Sequence, residues 1–432
     1  MLFRIFSIHF FGATLITMLI LMSPISQITA EESRNTWRYG IPGKLVKATA
    51  SRTVPLMVSP IVWSVVSVPI RPVKGTDGLV HLVYELNARN DSRHTLDLTT
   101  LDVLDPRTGQ PTGRNQAFSL DGQDISGKIR PFALTNPSQT STDFSNQLGP
   151  GQGGVIYFDL TYSSARDVPP CLKHRVSVSF QKVDNNPQSY TTEDECTVVS
   201  RERTLVIQPP LEGDGWLNAN GSGPIISPHR YSTQATNGIL RSPEHFAIDF
   251  VKLDHHGKLN TGDPNDNASF FGYGLNVRSA TSGRVIEMLD GIPNQIPGQL
   301  VPPQEASQYG GNHVTVEIGS GKYAFYAHLA PGSVKVSHGD HVGVGQILGK
   351  VGNSGNSDAP HLHFQIMDSA SPFNTNGLPF VFNQMNYRGQ LKGTVNSVMD
   401  SLFNGIGADI EASGTSRRQQ QMPLTLDVVN FR

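Results

Sequence analysis

Ten of the chain's 14 histidines fall between His229 and His363. Imidazole is the commonest metal ligand among side chains and titrates near neutral pH, so this concentration points to a metal site or to acid–base chemistry. Three segments stand out: residues 244–250 (EHFAIDF), 326–329 (YAHL) and 360–366 (PHLHFQI). In the third, strand-like alternation puts His361, His363 and Gln365 on one face and Leu362, Phe364 and Ile366 on the other. Alternate residues of a strand stand about 6.6 Å apart, so one imidazole can bind a metal while its neighbour reaches the metal's open face. In the first, Phe246, Ile248 and Phe250 form the apolar set, and His245 and Asp249 share the opposite face. A flat strand would separate those two by about 13 Å. Joint ligation at about 2.0–2.2 Å per bond therefore requires the chain to bend, or to begin its strand, near His245. His255, His256, His338 and His341 sit among Gly, Asp and Lys and read as loop histidines.

The scaffold for these groups reads as mainly β. Charged residues are only 16% of the chain, with 42 Gly and 29 Pro, which suits short strands and turns and excludes a coiled coil. A hydrophobic share of 37% supports a real core. The formal charge of −2 offers no basic field, so nucleic acid is excluded as a main partner. A length of 432 residues suggests two to three domains. Val80, Leu82, Tyr84, Leu86 and Ala88 alternate with His81, Glu85 and Asn87, as in a half-buried strand. Residues 155–162 and 197–207 read as further strands, separated by turn signals such as the 149–154 Gly-Pro-Gly-Gln-Gly-Gly run. Residues 56–208 are therefore expected to form a β-sandwich-like domain, with His81, His94 and His174 as packed or solvated side chains. Pro209-Pro210 and spaced glycines mark 209–235 as a linker. In 236–385, strands at 314–318 and 323–328 around Gly319-Ser320-Gly321 predict a hairpin in an antiparallel sheet. In a C-terminal extension, 386–432, Val395, Val398, Met399, Leu402 and Phe403 predict one short amphipathic helix, and Leu424, Leu426 and Val428 predict a final strand.

The ordered set of His245-x-x-x-Asp249, His328 and His361-x-His363 resembles the lysostaphin-type, LytM-like zinc endopeptidases over about residues 241–367. Gly311-Asn312-His313-Val314-Thr315-Val316, the 339–346 run GDHVGVGQ and the 349–356 run before His361 are similar to that family as well. The resemblance implies an antiparallel β peptidase domain with one zinc per chain, held by His245, Asp249 and His363. It implies two further active-site histidines, His328 and His361. Three protein ligands leave a fourth position for water, the mark of a catalytic rather than a structural zinc. Zinc acidifies such a water and polarises a carbonyl. Either of His328 and His361 can take the water's proton, while the other assists the oxyanion or the leaving amine. Two polar insertions, 253–272 and 291–309, depart from the family and are expected to rim the cleft. Ala359-Pro360 stands where the family usually carries Gly. The 263–267 run DPNDN lacks the later Gly and Glu of a calcium loop. Gly352-Asn353-Ser354-Gly355-Asn356 fails as a serine-hydrolase elbow.

The N-terminus carries Arg4, an apolar run over 5–22 and a break at Ser23-Pro24. Residues 1–30 resemble a secretory signal peptide, or an N-terminal membrane anchor if uncleaved; residues 31–55 read as a polar leader. In an exported protein Cys171 and Cys196 are expected to pair, closing a loop of about 25 residues; two cysteines cannot alone build a thiolate zinc site. Resemblance and export signal together imply a secreted metallopeptidase of the periplasm, cell envelope or exterior that cuts peptidoglycan cross-links. Two alternatives are also compatible with the sequence: a non-catalytic cell-wall regulator of the same fold, and a zinc peptidase acting on proteins.

Overall fold

The computed structural model describes residues 58–115, 119–120, 123–124, 128–132, 144–181, 187–411 and 415–432. The expected signal and leader lie outside these residues, and no helix among the described residues is long and apolar enough to cross a membrane. Among the described residues the fold is mainly β, with antiparallel sheets and one short α-helix, as the composition predicts.

The N-terminal part is a two-sheet sandwich. One sheet centres on Val80–Asn90 and Gly153–Tyr162, the other on Leu96–Asp105 and Cys171–Gln181. Leu82, Tyr84 and Leu86 meet Ile156, Phe158, Leu172 and Val176 in the core between them. Cys171 and Cys196 form the expected disulfide, with Cα atoms 5.6 Å apart. His174 is buried between Asp194 and Tyr84, and His81 between Asp77 and Asp159, so both are packed residues.

The strand Val80–Asn90 differs from the half-buried reading. From Val80 to Leu86 both faces are buried, and Glu85 is wholly inaccessible. The peptidase part covers it: Val73 and Val83 of the sandwich share a core with Phe246, Val381, Met422 and Leu424. The strand Leu205–Ile207 extends this union by pairing in parallel with Phe380–Phe382.

A twelve-stranded antiparallel sheet carries the histidine-rich region. Its central order runs Asn312–Gly319, Lys322–Leu329, Leu362–Met367, Ile248–Lys252, Gly213–Asn220, Asp427–Phe431 and Met385–Leu391. The expected hairpin is present as its first two strands. The expected linker is not a spacer: Gly213–Asn220 is an inner strand, with Leu217 paired to Val251 on one side and Val428 on the other. Pro and Gly punctuate this stretch, but Trp216, Leu217 and Ala219 between them are buried, and tertiary packing overrides the turn signal. The C-terminal strand occupies Asp427–Phe431, slightly later than its alternation suggests. The helix Val395–Phe403 starts at a Thr394–Ser397 capping box and sets Val395, Val398 and Leu402 against Leu217, Val251 and Leu253.

Candidate functional site

Adjacent strands bring the site together by register. Asp249 pairs with His363, and His363 pairs on its other side with Ala327, next to His328. The apolar alternates Ile248, Phe250, Leu362 and Phe364 anchor these strands in the core beneath. His328, the last residue but one of its strand, has φ 60°, a left-handed conformation uncommon outside glycine. Its backbone N–H is held by the Gly310 carbonyl at 2.8 Å. Gly311, also at positive φ, is needed beside it, because any Cβ there would collide with Ser354. The Ser354 carbonyl in turn accepts from His328 Nδ1 at 2.8 Å.

Asp249 is the hub. Its carboxylate lies 2.9 Å from His363 Nδ1 and 3.4 Å from His361 Nε2 through Oδ1, and 3.2 Å from His229 Nε2 through Oδ2. Asn220, at the end of the inner strand Gly213–Asn220, donates to Oδ2 at 2.8 Å. His328 and His361 have ring centroids 4.7 Å apart. The side chains line a cleft of about 400 Å³, with Glu244, Tyr309 and Phe373 also on its walls. A second cavity shares Asp249, His361 and Leu300 with it and runs along Met399 and Phe403 of the helix.

Four of the five residues singled out in the sequence therefore meet: Asp249, His328, His361 and His363. His245 does not join them. Residues 243–246 form a turn before the strand starts at Ile248, and the His245 ring stacks on Phe246 at 4.2 Å. Its Nδ1 lies 3.3 Å from Glu85 Oε2, at the sandwich boundary. The expected bend near His245 exists, but it turns the imidazole away from Asp249. In its place stand His229, from the short 3-10 turn Pro228–Tyr231, and Glu244 at the rim. Ligating atoms of His229, Glu244 and His363 all lie within 4.8 Å of one another. The sequence marked both only by membership, His229 in the histidine-rich region and Glu244 in the first segment, since no fixed spacing links them to Asp249.

Of the two insertions, 291–309 rims the cleft through Leu300 and Tyr309. The other props it, with Asn267 donating to the Gln295 carbonyl at 2.8 Å. His255, His256, His338 and His341 are exposed, as expected.

The outer hydrogen bonds assign the tautomers. Nδ1 of His229 faces the Ala247 carbonyl at 3.2 Å, and Nδ1 of His361 faces that of Ala359 at 2.8 Å. A carbonyl only accepts, so each Nδ1 carries a proton and Nε2 is the nitrogen that faces Asp249. In His363 the roles reverse, with Nε2 donating to Gln365 Oε1 at 3.1 Å and Nδ1 facing Asp249. The inward nitrogens thus converge on a buried carboxylate, which only accepts, so either a proton on each nitrogen or one shared cation must stand between them. This donor set of imidazole and carboxylate fits zinc. Without a cation, protons fill that role. Burial disfavours charge on Asp249, yet the histidines around it hold its pKa well below the usual range. Burial likewise opposes charge on His229, and the Asp249 carboxylate outweighs it, raising the pKa to about 9. His361 is raised against its burial by the same carboxylate. His328 is held well below the ordinary histidine value, by burial first and then by the charges of His361 and His363.

Comparison with known proteins finds a family match over part of this cleft. Residues 270–375, which hold His328, His361 and His363, match the family model of Peptidase family M23. The glycyl-glycine endopeptidase ALE-1 of Staphylococcus capitis is 30% identical over 168 residues, covering 39% of this chain and 34% of that protein. Lysostaphin of Staphylococcus staphylolyticus is 34% identical over 182 residues, covering 42% and 29%. The chain thus spans about a third of the length of these curated relatives. The solved catalytic domain of lysostaphin from Staphylococcus simulans matches 38% of this chain and 84% of its own, at 24% identity and a TM-score of 0.20. With the family match and both relatives in accord, the chain carries a domain of Peptidase family M23.

Proposed function

We propose that this chain is a zinc metalloendopeptidase, exported from the cytoplasm, that hydrolyses peptide bonds in the cross-links of peptidoglycan. The observation that carries the reading is the buried Asp249 carboxylate, approached by His363 Nδ1 at 2.9 Å, with His328 and His361 in the same cleft. Zinc at this carboxylate supplies a Lewis acid for the scissile carbonyl and lowers the pKa of a water. The chain's own groups do the rest. His328 and His361 each have Nδ1 tied to a carbonyl, so Nε2 is the atom that takes and returns a proton. Asn220 and the imidazoles fix Asp249, so the donor set is formed before substrate arrives. The two cavities joined at Asp249 and His361 make one groove, which suits an extended peptide chain. The names of the curated relatives, a glycyl-glycine endopeptidase and lysostaphin, support a peptide cross-bridge as substrate. The apolar N-terminal run supports export.

The test is digestion of purified peptidoglycan, with mass spectrometry of the released peptides, before and after zinc removal by a chelator. New amino termini within the cross-links, lost on chelation and restored by zinc, are expected. Cleavage of unrelated proteins with intact peptidoglycan left uncut would overturn the substrate, and cleavage that survives complete metal removal would overturn the mechanism.

A further inference from the structure

Two histidines compete for one ligand position. His245 holds it in the sequence, four residues before Asp249, and His229 holds it in space. His229 Nε2 is 3.2 Å from Asp249 Oδ2, and its ring meets that of His363 edge to face at 4.9 Å. Its outer nitrogen is bound to the Ala247 carbonyl, the arrangement by which metal-ligating histidines are commonly oriented. His245 has neither nitrogen in the cleft.

What holds His229 there comes from the other part of the molecule. The next residue, Arg230, is wholly buried, with Nη2 3.2 Å from Glu85 Oε1 on the sandwich strand Val80–Asn90. Its guanidinium also lies 5.7 Å from the Tyr157 ring centroid on Gly153–Tyr162. The same Glu85 meets His245 through its other oxygen. Glu85 and Arg230 are close enough to pair but off hydrogen-bond angle, and both sit where an unpaired charge is costly. At its start the turn is tied by Ser227, whose hydroxyl donates to the Gly221 carbonyl at 2.7 Å.

We propose that His229, not His245, completes the metal site with Asp249 and His363, and that Glu85 and Arg230 are positioning residues through which the sandwich domain sets that ligand. His245 is then a buried strut of the domain boundary. The inference rests on the metallopeptidase reading, but is tested on metal binding and not on turnover.

The experiment uses the whole chain, stripped of metal and titrated with zinc against a chromophoric chelator and with cobalt(II) by visible absorption, with circular dichroism as the check on folding. His229→Ala should weaken zinc by more than the 10–100-fold typical of losing an outer partner. His245→Gln should leave zinc affinity unchanged. Glu85→Gln should weaken zinc by about 10–100-fold while the cobalt spectrum keeps its ligand-field bands. Arg230→Lys should recover part of what Arg230→Ala loses. Because His229→Ala could disturb the turn itself, His229→Cys gives an independent reading: a thiolate at that position should add a sulfur-to-cobalt charge-transfer band, and His245→Cys should add none. A folded His229→Cys protein without that band, or a folded His245→Gln protein that has lost zinc, overturns the assignment. A wild-type chain that binds no zinc overturns both this inference and the function above. A chain that binds zinc as expected but cuts no peptide refutes the function alone.

Discussion

Asp427 offers a direct test of how firmly the two halves of the molecule are joined. Its carboxyl is buried at the start of the strand Asp427–Phe431, where Thr76 of the sandwich and the Leu424 N–H, at 2.7 Å, both donate to Oδ2. Burial, opposed by those hydrogen bonds and aided by nearby Asp77, pushes its pKa up to about 7 from 3.8. The folded state thus holds a proton that the unfolded chain releases near pH 4. With the folded pKa above the unfolded one, the stability from this group is whole below pH 3.8 and is lost as the pH rises through about 7. A shift of about 3 units corresponds to about 4 kcal/mol. Asp427→Asn imitates the neutral acid, keeps an acceptor for Thr76 and Leu424, and removes the titration. Urea unfolding of both proteins at intervals from pH 4 to pH 8 gives the difference in stability, in which every other titrating group cancels. The wild type should lose about 4 kcal/mol relative to the variant across that range, at up to 1.4 kcal/mol per pH unit. Parallel curves would refute the reasoning and mean that Asp427 ionises in the folded protein at no cost.

Other outcomes follow from the same geometry. His328→Ala and His361→Ala should keep zinc yet lose about 10²–10⁴-fold in turnover on a released cross-link peptide; either variant turning over at the wild-type rate removes that residue from the chemistry. Cys171 and Cys196 should resist alkylation in denaturant until a reductant is added, and reduction should cost about 3 kcal/mol of stability in the chain-entropy model. A fragment that starts at residue 209 should be poorly soluble and weak in zinc binding, because it exposes Phe246, Val381 and Met422 and leaves Arg230 without Glu85; a stable fragment with wild-type zinc affinity, measured by the same chelator titration, would show the two parts to be independent.

Much of this architecture is legible in the sequence, and the parts that are not share a cause. Period-two alternation over residues 80–88, the 314–328 hairpin and the apolar spacing from Val395 to Phe403 are local patterns, and each yields its element. His361-x-His363 is local too, since one strand places both side chains on one face. Glu85 looked solvent-facing because alternation reports only that two faces differ, not that a second domain covers the polar one. The 209–235 stretch read as a linker because its prolines and glycines are local signals, whereas the partners of Leu217 lie far along the chain. His229 reaches Asp249 only through that fold, so no spacing could reveal it. His245 shows the converse: its spacing to Asp249 is that of a ligand, but the turn at 243–246 decides which way it faces.

With Leu217 bonded to Val251 on one edge and to Val428 on the other, the sheet that bears Asp249 cannot close in the order in which the polypeptide is synthesised. An emerging chain presents Gly213–Asn220 with one edge bare until residues 427–431 follow. Pairings so distant in sequence form slowly, and a bare edge invites association with other chains. Asn218, whose amide donates to the Pro423 carbonyl at 3.0 Å, and Asn220, which steadies Asp249, settle together with that late strand. The cleft around Asp249 is therefore among the last regions to take shape.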